Sequence, residues 1–212
     1  CSNAQWKQMT NLPRGYERNY WLDVYFLETN PQYGWVCGYN GAVLRTTNGG
    51  NSWFGVTIRD VNQLESIHFA NEKIGYTSGE GKIFKSTDGG ASWSDVTPYG
   101  ATSLWGCYFL TPDIGMVIGG GCADNQQFYR TTNGGISWSL YSTAIPMTGL
   151  TDLILYSEKG LGYASSSGFI WRTLDGGRTW AILFGWGNKD WQEEITHIGN
   201  SILVPYAQGC SE

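Results

Sequence analysis

The sequence is short of the residues that usually build metal sites and nucleic-acid surfaces. It has two His and three Met in 212 residues, and its net charge of −5 provides no basic surface. Nucleic acid is therefore not an expected partner. No apolar run approaches the roughly 18 residues of a membrane-spanning helix. Since there is no CxxC pair either, we expect no metal site, and no motif indicates a cofactor.

What the sequence has instead is glycine and aromatic side chains. There are 30 Gly, 11 Trp and 13 Tyr, residues typical of turns and strands. A hydrophobic share of 41% is enough for a core in a chain of this length. The composition predicts an all-β protein.

Cysteine is scarce, and the first residue is one of only five. A chain that opens on Cys1, followed by Ser2-Asn3-Ala4, resembles a mature bacterial lipoprotein whose Cys carries a lipid. Ser-Asn-Ala also resembles a cloning remnant, and both interpretations stay open. On the first, residues 1–4 are a tether with a lipid anchor at Cys1, which is the one membrane link expected. The protein is then exported, as an outer-membrane or periplasmic lipoprotein or as a secreted protein.

Four further cysteines allow disulfides if the protein is exported. Cys107 and Cys122 are 15 residues apart and form the first candidate pair. Cys37 and Cys210 form the second, on the expectation that the first and last repeats of the chain adjoin.

One eight-residue phrase occurs four times. It reads TTNGGNSW at 46–53, STDGGASW at 86–93, TTNGGISW at 131–138 and TLDGGRTW at 173–180. The closing Trp residues follow one another at intervals of 40, 45 and 42 residues. A period of this length is typical of propeller blades or solenoid units.

Each residue type in the phrase suits a tight turn. The first hydroxyl and the Asn or Asp oxygen can bond nearby backbone N–H groups, and paired Gly residues supply positive φ. The closing Trp packs the turn against its neighbour. The turn residues predicted in this way are Thr46, Asn48, Gly50, Trp53, Ser86, Asp88, Gly90, Trp93, Thr131, Asn133, Gly135, Trp138, Thr173, Asp175, Gly177 and Trp180.

Extended, apolar segments flank every phrase. A strand, a polar turn and a Gly-led second strand come first, then AVLR, KIFK, QFYR or FIWR directly before the phrase. Each repeat therefore has four strands, A to D, with the phrase between C and D, which predicts a β-propeller of four-stranded antiparallel blades. A basic residue precedes every phrase, and because it recurs we assign it to blade packing. These residues are Arg45, Lys85, Arg130 and Arg172.

The pattern Ser/Thr-x-Asp/Asn-x-Gly-x-Ser/Thr-Trp is identified as the Asp-box, or bacterial neuraminidase repeat. All four phrases match it, and the wider form with its preceding Arg resembles the propeller family of the photosystem II assembly and stability factor. The resemblance covers nearly the whole chain. It implies the propeller fold, but Asp-boxes occur in sialidases, other glycosidases, sorting receptors and assembly factors alike, so it does not imply one activity.

The two ends of the chain bear on how the ring closes. Gln5-Trp6 aligns with Ser52-Trp53, and residues 193–212 align with strands A and B of a fifth blade. We predict one propeller domain over residues 5–212 with about five blades, of which four are complete. The last is either incomplete, at a truncated C-terminus, or closed by the N-terminal strand.

Binding is expected on the face opposite the Asp-boxes, where the D-to-A and B-to-C loops differ between blades. Trp, Tyr and Arg dominate binding energy at protein interfaces, and carboxylates orient a ligand. The predicted ligand-binding residues are Tyr20, Trp21, Asp23, Arg59, Trp105, Asp152, Trp186, Trp191 and Glu194.

We therefore predict a non-catalytic binding or assembly module of the bacterial cell envelope. It is a monomer that presents this face to a protein or a glycan. The alternative is a glycoside hydrolase, sialidase-like or using another carboxylate pair. A sialidase-like site needs three converging Arg residues, and three of the seven Arg here stand in the repeat position instead.

Overall fold

The computed structural model describes residues 9–120, 127–141, 150–157, 160–166, 169–185, 195–198 and 201–203. These residues form β-strands joined by turns and loops, without a helix among them. No helix in this part of the chain is therefore able to cross a membrane. The prediction of an all-β protein is confirmed.

Sixteen strands form four sheets, each of four strands paired in chain order, and every pairing is antiparallel. We name the sheets blades 1 to 4 and their strands A to D. The strands are β1 Trp21–Phe26, β2 Gly34–Gly38, β3 Ala42–Thr46, β4 Phe54–Thr57, β5 Ser66–Phe69, β6 Gly75–Gly79, β7 Lys82–Ser86, β8 Ser94–Asp95, β9 Leu104–Phe109, β10 Gly115–Gly119, β11 Gln127–Thr131, β12 Ser139–Tyr141, β13 Leu150–Leu155, β14 Gly162–Ser166, β15 Phe169–Thr173 and β16 Ala181–Gly185.

A further antiparallel hairpin follows blade 4, formed by β17 Thr196–Ile198 and β18 Ser201–Leu203. It corresponds to strands A and B of the expected fifth blade. The predicted propeller with four complete blades is thus confirmed. Residues 1–8 and 204–212 lie outside the described residues, so closure by the N-terminal strand stays a prediction.

The A strands of blades 1 to 4 contact one another in order, β1 with β5, β5 with β9 and β9 with β13. They enclose a central channel that contains a cavity of about 280 Å³. Residues about forty positions apart in sequence therefore become neighbours on the channel wall.

Aromatic rings hold consecutive blades together. Trp35 of blade 1 stacks on Phe69 of blade 2 with ring centroids 3.6 Å apart. Tyr76 and Phe109 repeat the stack between blades 2 and 3 at 3.4 Å. These pairs combine burial of large apolar area with favourable ring geometry, so each contributes both terms to the interface between blades.

Each Asp-box lies in the C-to-D turn of its blade and is held by its own side chains. In blade 2, Ser86 Oγ accepts from Gly90 N at 2.8 Å and donates to Asp88 Oδ1 at 2.9 Å. Asp88 Oδ1 also accepts from Ser92 N at 2.9 Å. The other boxes make the same backbone bond to their first hydroxyl, at Thr46, Thr131 and Thr173.

In blades 2 and 3, the basic residue before the box reaches the box of the next blade. Lys85 Nζ donates to the carbonyl of Gly134 at 2.8 Å, and Arg130 Nε donates to that of Gly176 at 3.0 Å. Arg130 is buried, whereas Arg172 at the same position of blade 4 is exposed. These two bonds join blades 2 to 3 and 3 to 4, and they give the repeated cation a packing role.

One side of β1 is uncovered. Leu22, Val24 and Phe26 are 40%, 61% and 37% exposed, whereas the strand's other side chains are half-buried. Ile67 and Phe69 hold the registers of Val24 and Phe26 in blade 2, and both are buried in the cluster that contains Trp35. The exposed row on β1 is therefore the surface that a preceding blade covers elsewhere.

Candidate functional site

Alternation of strand direction sorts the loops onto two faces. Because neighbouring strands are antiparallel, the C-to-D and A-to-B turns lie on one face and the D-to-A and B-to-C loops on the other. We name the first the box face, after the boxes at 46–53, 86–93, 131–138 and 173–180. The second is the loop face, and the A strands begin there.

A depression of about 320 Å³ lies at the loop-face end of the channel. Trp21 and Asp23 from blade 1, Glu65 from blade 2, Trp105 from blade 3 and Asp152 from blade 4 line it. The ring thus brings four of the nine predicted ligand-binding residues to one place. Their role in binding stays a prediction.

Asp23 and Asp152 also join neighbouring blades. Asp23 Oδ2 accepts from the backbone N–H of Ile67 at 2.8 Å, and Asp152 Oδ2 accepts from that of Ile195 at 2.9 Å. Both carboxylates hold the start of the next A strand, a role that sequence reasoning missed. Each therefore has a structural bond on one oxygen while it lines the depression.

The rim of the depression is aromatic. Trp105 is half-buried and its indole N–H donates to the carbonyl of Gly120 at 3.3 Å. Tyr20 is 75% exposed and meets Tyr39 edge-on, with ring centroids 5.7 Å apart, but neither ring is among the residues that line the depression. Arg59 is exposed on the loop after β4 and is not among the residues lining the depression.

The environment of Glu65 is unfavourable to a charged carboxylate. Partial burial raises its pKa, and repulsion from Glu80 adds to this, while a hydrogen bond from Gln63 acts in the opposite direction. Glu80 itself has a positive φ of 47° in the β6–β7 turn, and its Oε2 accepts from Asn62 N at 2.8 Å. A positively charged or hydrogen-bond-donating ligand group would relieve this repulsion.

Several sequence predictions fall outside the described residues. Trp186, Trp191 and Glu194 are among them, as are Cys1, Cys122 and Cys210.

Cys37 and Cys107 are buried free thiols; burial is the main cause that raises the pKa of Cys107 to about 12. The two disulfide pairings stay predictions. Within the described part of the chain, no three His, Cys, Asp or Glu side chains are grouped as a metal site.

Sequence reasoning did not select the aromatic wall of the channel. Tyr25, His68 and Tyr108 hold the same register of three consecutive A strands. The ring of His68 lies 4.4 Å from that of Tyr25 on one side and 4.4 Å from that of Tyr108 on the other. Each of the three directly precedes the Phe that ends its A strand, and this shared position was the available sequence signal. It indicates a contact only when the A strands are known to be neighbours.

The chain was compared with known proteins. The family model described as photosynthesis system II assembly factor YCF48 matches residues 1–145. The chloroplastic photosystem II stability/assembly factor HCF136 of Cyanidioschyzon merolae is 31% identical over 77 residues, which are 36% of this chain and 17% of that protein.

Two solved structures share the fold. YCF48 bound to a D1 peptide matches with a TM-score of 0.62 and 22% identity, over 88% of this chain and 62% of that one. The GH74 enzyme of Niastella koreensis matches with a TM-score of 0.67 and 16% identity, over 81% and 31%. The chain thus spans less than two thirds of the length of each of these proteins.

Proposed function

This chain belongs to the family of the photosynthesis system II assembly factor YCF48, and from that membership we propose that it is a non-catalytic assembly module. We propose further that it binds a polypeptide segment of its partner at the loop face. A solved member of the family is bound to a peptide, of the protein D1. That observation supports a peptide as the class of ligand.

The observation that carries the proposal is the pair of half-buried tryptophans in one depression. Trp21 and Trp105 come from blades 1 and 3 and line the same cavity of about 320 Å³. Large, flat side chains that are already partly fixed lose little conformational entropy on binding and dominate interface energies. A peptide side chain that enters between them would bury apolar area on both sides.

The charge of the depression indicates what else the segment carries. Asp23, Glu65 and Asp152 line it, and no Lys, Arg or His is among the described lining residues. A cleft lined by one sign of charge attracts the opposite sign. The partner segment is expected to combine an apolar or aromatic residue with a basic one.

The size of the depression favours a peptide over a glycan chain. Its volume of about 320 Å³ is at the lower end of the range for small-molecule sites, roughly 300–1,000 Å³. It accommodates one or two side chains. A glycan ligand, the other class expected from the sequence, remains an arm of the test.

The glycoside hydrolase alternative requires two carboxylates that exchange protons or attack the sugar. Asp23 and Asp152 each hold a backbone N–H of the next blade. Movement of either would break a contact between blades, so both are better suited to structure and ligand orientation.

Binding of the chain to overlapping peptides that span D1, to a glycan array and to aryl glycosides tests the proposal. We expect saturable peptide binding without turnover. Trp21→Ala and Trp105→Ala should each weaken it by about 2 kcal/mol, roughly thirtyfold, because each removes a central contact.

Tyr99→Ala is the matched control. Tyr99 is 105% exposed in the loop after β8, outside the depression, and its loss should leave affinity unchanged. Circular dichroism would establish that all three variants are folded. Turnover of an aryl glycoside that Asp23→Asn or Asp152→Asn abolishes would refute the proposal, as would peptide binding that neither Trp variant affects.

A further inference from the structure

The opposite end of the channel has different chemistry from the loop-face depression. The cavity of about 280 Å³ continues from Asp23 and Asp152 to the A-to-B turns of the box face, where Glu28 lines it. Tyr25, His68 and Tyr108 form its wall between these ends. The proposed peptide site does not use any of these three rings.

The wall is aromatic and uncharged. His68 is 8% exposed, and its Nδ1 accepts from the backbone N–H of Phe109 at 3.3 Å, which fixes the ring against blade 3. Burial lowers the pKa of His68 to about 3, so the imidazole is neutral at physiological pH. Tyr25 and Tyr108 flank it at ring-centroid distances of 4.4 Å. The wall contributes no positive charge of its own.

The two phenols and one carboxylate converge. Burial and, to a smaller extent, the neighbouring Glu28 and Tyr156 raise the pKa of Tyr108 to about 12. Burial also raises the pKa of Tyr25, with added contributions from Tyr108 and Glu28. Both phenol side chains and Glu28 line the same cavity, and Glu28 is exposed at its box-face end.

We infer that the box-face end of the channel, formed by Tyr25, His68, Tyr108 and Glu28, is a binding site for the ammonium or guanidinium group of an organic cation. Electron-rich ring faces attract cations, and a carboxylate nearby adds a charge-assisted hydrogen bond. No Lys or Arg is among the described residues that line the cavity, so no internal cation competes for Glu28.

The volume of the cavity limits the size of the ligand. About 280 Å³ suits one extended side chain or a small free amine, and excludes a folded segment of a partner. A Lys or Arg side chain of a peptide and a small free amine share the same charged group, so the test includes both sources.

NMR titration of the full chain with n-butylammonium chloride tests the site, with n-butanol as the neutral isostere and sodium chloride as the salt control. The peptides Gly-Lys-Gly and Gly-norleucine-Gly form the second arm, with blocked ends. We expect saturable shifts of the Tyr25, His68 and Tyr108 signals with the charged member of each pair. A response to butylammonium alone would assign the site to small amines, and tighter binding of the Lys peptide would assign it to a side chain.

Glu28→Gln should weaken binding by about fivefold, because it removes the charge and keeps the shape. Glu72→Gln is the matched control, since Glu72 is exposed in the A-to-B turn of blade 2 and does not line the cavity. Its affinity should equal that of the unmodified chain. Equal shifts with butanol, unchanged binding in Glu28→Gln, or the absence of saturable shifts would each overturn the inference. The proposed peptide site at the loop face would stand in all three cases.

Discussion

The third position of a box is either Asn or Asp. The hydroxyl group four residues later donates a hydrogen bond to Asp and accepts one from Asn. In blade 2, Ser92 Oγ donates to Asp88 Oδ2 at 2.6 Å, because a carboxylate can only accept. In blade 3, Asn133 Nδ2 donates to Ser137 Oγ at 2.8 Å, which reverses the bond. A hydroxyl is both donor and acceptor, so either residue completes the same turn.

The stabilising effect of a box should depend on pH when it contains Asp and should not when it contains Asn. Burial acts to raise the pKa of Asp175, but hydrogen bonds from Thr179, Thr173 and the backbone of Arg178 outweigh it and hold the value at about 2. The unfolded value is near 3.9. The lowered pKa therefore adds stability that is fully present above about pH 4 and is lost as pH falls through about 2.

Asp175→Asn should remove this pH-dependent part. We expect the free energy of unfolding of the unmodified chain to exceed that of the variant at pH 6, and the difference to shrink by pH 2.5. Urea unfolding at both pH values measures it. The reverse change, Asn133→Asp, should introduce the same pH dependence into blade 3. A difference that does not vary with pH in either variant would contradict the assignment.

At the scale of the strand, one register near the start of strand A connects the blades. Asp23, Ser66 and Asp152 each accept the N–H that begins the next A strand. Blade 3 has Gly106 at this register, and glycine has no side chain that could accept the hydrogen bond. The corresponding N–H, of Leu153, donates instead to Asp152 Oδ1 at 2.8 Å. The N–H is satisfied by its own blade, so this register makes no such bond between blades 3 and 4.

The uncovered row on β1 gives a prediction at the same scale. Ile67 is 2% exposed and Val24, at the same register, is 61% exposed. Ile67→Ala should lower the free energy of unfolding by roughly 2–4 kcal/mol, since it leaves a cavity between blades. Val24→Ala should change it by less than about 0.5 kcal/mol. Urea unfolding compares the pair. If Val24→Ala lowered the free energy of unfolding by as much as Ile67→Ala, the exposed side chains of β1 would be covered in solution.

At the scale of the whole molecule, the inner strands keep two thiols from solvent. Burial raises the pKa of Cys37 and Cys107, and Cys37 donates to the carbonyl of Leu64 at 3.4 Å. Only the thiolate reacts readily with alkylating agents, and both sulfurs lie between blades. Access to them requires blades to separate.

Iodoacetamide labelling followed by mass spectrometry tests this protection. At pH 8 we expect neither Cys37 nor Cys107 to be labelled in the native chain, and both to be labelled in urea. If the predicted Cys107–Cys122 disulfide forms, Cys107 would be labelled in urea only after reduction. Rapid native labelling of Cys37 would show that blades 1 and 2 separate readily.

The boxes, the four-stranded repeat and the number of complete blades could be predicted from residue spacing. The bonds made by the first hydroxyl and by the Asp or Asn side chain of a box join residues at most four apart, such as Ser86 and Gly90. Interactions this local leave a residue pattern of fixed spacing, and four copies of the pattern reveal the period.

Contacts between residues of different blades could not be predicted in this way. Asp23 and Ile67 are bonded across 44 positions, and Tyr25, His68 and Tyr108 line one wall although each blade supplies only one of them. Such contacts depend on the order and tilt of the blades, which no residue spacing specifies. For this reason Trp21 and Trp105 could be selected from the sequence as loop-face aromatics, while their meeting in one depression followed only from the arrangement of the blades.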